Sequence, residues 1–90
     1  MDLSLALARN PNAAYRVYDG KATIVLPEHA AVHVLNEVGS FVWDRLDGQR
    51  TLATIVDEVA ATYEVSPDQA HQDVAAFVAA LLEQKMVRQP

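Results

Sequence analysis

Residues 33–51 read His-Val-Leu-Asn-Glu-Val-Gly-Ser-Phe-Val-Trp-Asp-Arg-Leu-Asp-Gly-Gln-Arg-Thr, and no other run restricts the fold as tightly. An alternating, strand-like pattern stops at Leu35. Asn36 follows, and its side-chain oxygen suits the cap of a helix because it can accept an orphan amide of the first turn. Val38, Phe41, Val42, Trp43 and Leu46 then keep a helical period. Asp47-Gly48 closes that helix, since glycine takes the left-handed conformation that many helix endings need. Thr51 is placed to cap the next helix. A strand, a helix, a tight turn and a second helix in so short a stretch predict a small winged-helix module.

The flanks extend this pattern. Tyr15–Tyr18 and Ala22–Leu26 are rich in β-formers and are separated by Asp19-Gly20, a strong hairpin signal. Pro27-Glu28-His29 is a second turn. Ala30–Leu35 is a third strand, with Val32 and Val34 on one face and Ala31, His33 and Leu35 on the other. A three-stranded antiparallel meander is expected. The second helix spans about Leu52–Tyr63, with Leu52, Ile55, Val56, Val59 and Tyr63 as its buried stripe. The third starts at Ser66-Pro67-Asp68-Gln69, which combines a capping serine, a first-position proline and a capping-box glutamine. Val65 and Ala70 can staple that start. Ala70, Val74, Phe77, Val78, Leu81 and Lys85 share one arc of the helix, and Met86-Val87 are expected to cover the base of the core. The fold class is therefore α+β: a winged helix-turn-helix, with the sheet followed by three helices. Residues 1–13 read as a mobile arm ending at the turn-prone Asn10-Pro11-Asn12, and residues 14–88 as the folded domain.

Composition limits the function. Ninety residues support one domain with a modest core, because so short a chain buries only about 60–65% of its unfolded surface. With no cysteine, disulfides and thiolate metal sites are excluded. No apolar run approaches the roughly 20 residues that cross a bilayer. The N-terminus has its acid before its first base, the reverse of a secretory signal, so the expected location is cytoplasmic. Seven basic against twelve acidic residues give a net charge of −5, which disfavours attraction to phosphate backbones. His29, His33 and His71 lack ligand spacing, so no metal is expected. Asp57 and Glu58 are neighbours on a helix and point apart, which makes them a solvated face and not an acid/base pair. No nucleophile triad, glycine-rich phosphate loop or cofactor motif is present, so the chain does not read as an enzyme.

The ordered set Val34-Leu35-Asn36-Glu37-Val38-Gly39, Val42-Trp43, Leu46-Asp47-Gly48, Thr51, Ile55-Val56, Tyr63-x-Val65, Asp73-Val74, Phe77-Val78-x-x-Leu81 and Met86-Val87 resembles the PqqD family, also described as RiPP recognition elements. The likeness covers roughly Tyr15–Val87. It implies a non-catalytic, cofactor-free protein that binds the leader of a ribosomally made precursor peptide and presents it to a modifying enzyme, often a radical SAM protein. It further implies that the leader adds as a strand along the third strand, in a cleft bounded by the third helix.

On this chain those positions are Ala30, Ala31, Val32, His33 and Val34 on the strand, and Gln69, Asp73, Ala76, Phe77 and Ala80 on the helix. Strand addition needs a bare edge for affinity and pockets for specificity. The strand has no proline or lysine to block pairing, and the two helix alanines leave a shallow trough beside Phe77. Little positive charge is near that trough, so an apolar or basic leader fits better than an acidic one. Trp43 reads as core or groove floor, and Gly39 as a site of close approach between the first helix and the sheet. Leu3, Leu5 and Leu7 suggest that the arm can lie on the same edge in a neighbouring molecule, making a monomer or an arm-mediated dimer. The alternatives are a DNA-binding winged helix, disfavoured by Asp68 and Asp73 at the start of the third helix, and a structural subunit of this fold without leader binding.

Overall fold

The computed structural model describes residues 1–26 and 31–89. Its elements run β1 (Ala8–Arg9), β2 (Ala14–Tyr18), β3 (Lys21–Leu26), β4 (Ala31–Val34), α1 (Glu37–Arg45), α2 (Leu52–Tyr63), α3 (Pro67–Glu83) and β5 (Val87–Arg88). The main sheet is the expected meander β2-β3-β4, antiparallel throughout. Asp19 and Gly20 both take positive φ, 54° and 77°, as the tight hairpin between β2 and β3 demands. Ala22 and Ile24 on β3 are fully buried under the helices, whereas Val32 and Val34 on β4 remain 63% and 69% exposed on the outer face.

All three helix starts use the predicted caps. Asn36 Oδ1 accepts the Gly39 amide at 2.7 Å, Thr51 Oγ1 that of Thr54 at 3.2 Å, and Ser66 Oγ that of Gln69 at 3.1 Å. The Gln69 side chain does not complete a capping box: its Nε2 donates forward to Asp73 Oδ1 at 2.9 Å. α3 also ends earlier than the apolar arc suggested. Lys85 lies beyond the helix, exposed, with φ of 57°, so it does not complete the buried stripe. That left-handed turn swings Met86 and Val87 back under the core, where both are buried.

Trp43 is completely buried within the core cluster that also holds Leu46, Ile55, Val59 and Val74, with its ring edge-on to Tyr15 at 5.5 Å. It is a core residue. α1 and α2 are clamped by Arg45, which donates to Glu58 at 2.7 Å and lies over the Phe41 ring at 3.4 Å. Glu58 also receives Arg50 at 3.3 Å, so this acid is structural. In the turn between α1 and α2, Asp47 Oδ1 accepts the amides of Arg50 and Gln49, both at 2.9 Å, and these bonds hold its carboxyl below the ordinary value.

The mobile arm expected over residues 1–13 is corrected. Leu7 is 1% exposed, and Leu3 and Leu5 pack against the core. The carbonyls of Leu3, Leu5 and Leu7 accept the amides of Ala53 (3.0 Å), Leu52 (2.8 Å) and Gly48 (2.9 Å). β1 then pairs with β5, and the Arg9 guanidinium donates to the carbonyls of Trp43 and Asp44 at 2.9 and 2.8 Å. The reason is local demand. The first amides of α2 lack acceptors within their own helix, and a strap that turns at Leu3–Ser4 and packs its leucines against the core supplies them. With the strap docked on its own molecule, the arm-mediated dimer loses the free segment it needed.

Candidate functional site: an open strand edge beside a helical cleft

β4 pairs with β3 along one side, and among the described residues nothing pairs with its other side. The register determines which groups face outward. The Leu35 amide donates to Ala22 carbonyl at 2.8 Å. In an antiparallel ladder bonded pairs alternate with non-bonded ones, so with Thr23↔Val34 and Val25↔Val32 as partners, the amides and carbonyls of Val32 and Val34 point away from β3. Ser40, buried, closes the inner end of this ladder: its Oγ accepts the Ala22 amide at 2.6 Å and reaches the Leu35 carbonyl at 3.5 Å.

The strand leads through Leu35 into a cleft between the first half of α1 and the middle of α3. Its volume is about 320 Å³, and it is lined by Asn36, Val38, Gly39, Val42, Asp73, Val74, Ala76 and Phe77. That volume lies at the small end of ligand-accepting pockets. Val42 and Val74 form an apolar floor, Phe77 a half-buried aromatic wall, and Asp73 an exposed carboxylate at the lip.

Of the residues singled out from sequence, Asp73, Ala76 and Phe77 meet in this cleft. Gln69 does not line it but holds the Asp73 carboxylate. Ala80 is exposed and does not line it. Ala31, Val32, His33 and Val34 form β4, and Ala30 lies outside the described residues. The α1 wall was missed as a wall, although its sequence signal was present in Gly39. A Cβ on Gly39 would come within 3.1 Å of Asn36 Oδ1 and 3.3 Å of Phe77 Cε1. The close approach is thus to α3 and to the helix's own cap, not to the sheet as expected. Gly39→Ala adds helix propensity of about 1 kcal/mol but pushes Phe77 into the cleft. We expect little net change in melting temperature and a several-fold loss of affinity for any cleft ligand, checked by calorimetric titration.

His33 turns inward beside Ile24, and its Nε2 is buried without a hydrogen-bond partner among the described residues. An unpaired buried polar atom costs about 1–3 kcal/mol. His33→Leu is therefore expected to raise stability by roughly 1 kcal/mol in urea melts, and an unchanged or lower midpoint would count against that cost.

Among the described residues no group of three or more potential metal ligands is found, and no helix is long and apolar enough to cross a membrane.

The chain matches the family described as "Coenzyme PQQ synthesis protein D (PqqD)" over residues 22–87. The chain belongs to the PqqD family. The match starts at β3, so β1, β2 and the N-terminal strap precede it. No curated protein matches the chain. Two solved structures share this PqqD-like fold. "TbiB1 in Complex with the TbiA(beta) Leader Peptide" is 20% identical with a TM-score of 0.83, covering 92% of this chain and 96% of the other. "Lasso peptide synthetase B1 complexed with the leader peptide" is 22% identical with a TM-score of 0.81, covering 92% and 98%.

Proposed function

We propose that this PqqD-family chain is a non-catalytic module that captures the leader of a ribosomally made precursor peptide by strand addition and presents it to a modifying enzyme such as a radical SAM protein. The observation that carries the reading is the pair of outward-facing backbone units at Val32 and Val34, two residues apart, next to a cleft walled by Phe77. An extended peptide bonds to every second residue of an edge strand, so this rim offers it donors and acceptors in its own period. Support also comes from the two similar structures, both of which hold leader peptides. We place its work in the cytoplasm, where ribosomal precursors are made.

The reading lays the leader along the edge expected over Ala30, Ala31, Val32, His33 and Val34, with backbone bonds to the outward units of Val32 and Val34, and assigns side-chain recognition to Asp73, Ala76 and Phe77. Gln69 supports Asp73, and Ala80 extends the flank. Titrating the 15N-labelled chain with a synthetic leader encoded beside it is expected to shift the amides of Val32–Leu35 and of the first half of α3. Absence of shifts in both segments would overturn the proposal.

A further inference from the structure

We infer that the leader carries, on its cleft-facing side, a bulky apolar residue and a lysine or arginine two positions apart, and that Asp73 selects the cation. The inference rests on the strand-addition reading and deepens it.

Asp73 and Phe77 both line the cleft and lie one helical turn apart on α3. Four residues of helix rise about 6 Å. Side chains on one face of a strand repeat every two residues, or roughly 6.6–6.8 Å. A leader strand running beside this turn therefore offers consecutive same-face side chains at nearly the spacing of the carboxylate and the aromatic wall. One such side chain meets Phe77, Val42 and Val74; the next meets Asp73.

The carboxylate is held for this use. Gln69 Nε2 binds Oδ1 at 2.9 Å, and Oδ2 has no partner among the described residues. Nor, among the described residues, does a lysine or arginine of the chain line the cleft. Arg9 is engaged by main-chain carbonyls, and Arg45 and Arg50 by Glu58 and Asp47. By register Arg16 and Lys21 share the outer face of the sheet, and Lys85 and Arg88 follow α3 at the base. The positive end of α1 also borders the cleft, but Asn36 occupies its Gly39 amide and Glu37 sits in its first turn. With a net charge of −5 behind it, the site favours a basic side chain over an acidic one.

The experiment is a display selection of random 15-residue peptides on the full-length chain, run in parallel on Asp73→Asn. Wild type is expected to enrich peptides with Lys or Arg two positions from Leu, Ile, Phe or Tyr. Resynthesised with Glu in place of the base, such a peptide should bind about tenfold more weakly, as an attraction is replaced by a like-charge contact. On Asp73→Asn that preference should shrink to within about twofold, with the apolar enrichment retained and the thermal melt unchanged. Peptides that shift the Val32–Leu35 amides but show no basic preference would overturn the role of Asp73 and leave strand addition standing. Failure to enrich any peptide that shifts those amides would overturn both.

Discussion

Trp43→Ala is expected to remove most of the native population at 37 °C. The indole is wholly buried in the core cluster, and Tyr15 of β2 stacks edge-on against it. Truncating a buried tryptophan costs about 3–5 kcal/mol, because the transfer energy is lost and a cavity remains. A domain of this size has only about 5–15 kcal/mol in total, with small chains at the low end. The melting temperature should fall by roughly 15–30 °C, given about 4–8 °C per kcal/mol at this length. Trp43→Phe separates volume from polarity. It keeps most of the packing and removes an indole N–H that has no partner among the described residues, so it should cost far less. Circular-dichroism melts of both variants provide the check. Equal losses would mean that the ring's volume is not what the core requires.

Val34→Pro is the corresponding blow to function. Proline removes one outward amide from β4 and projects its ring carbons into the space an added strand would use. The β3–β4 ladder keeps its bonds, because Val34 and Thr23 form a non-bonded pair. Proline is tolerated on edge strands for the same reason. The fold should survive with a modest stability loss, while leader affinity drops roughly 10- to 100-fold from a lost hydrogen bond and the steric block. Val34→Thr keeps the amide on an exposed side chain and should bind within a few-fold of wild type. If Val34→Pro binds the cognate leader as well as the parent chain, the leader does not add along β4, and the proposed mechanism fails.

The strand–helix order could be read along the chain because each signal acts over a few residues. Asn36, Thr51 and Ser66 cap their helices through contacts three residues away, and Asp19-Gly20 makes its hairpin alone. Half of the candidate site was legible for the same reason, since Asp73, Ala76 and Phe77 lie on one flank of one helix. The opposite wall, built by Val38, Gly39 and Val42, needed the packing of α1 against α3, and Gly39 marks that contact without naming its partner.

The N-terminal strap shows the division most clearly. Alternation of Leu3, Leu5 and Leu7 marked one apolar face on this segment, although the chain turns at Leu3–Ser4. It left open which acceptor-hungry surface in the molecule that face would meet. The start of α2 is that surface, more than forty residues away in the chain, where the Leu52 and Ala53 amides bind the carbonyls of Leu5 and Leu3. Short-range hydrogen bonding and side-chain period thus wrote the elements and their ends into the sequence. Which edge stays bare and which gap stays open depended on burial summed over the whole chain, a quantity that no local window contains.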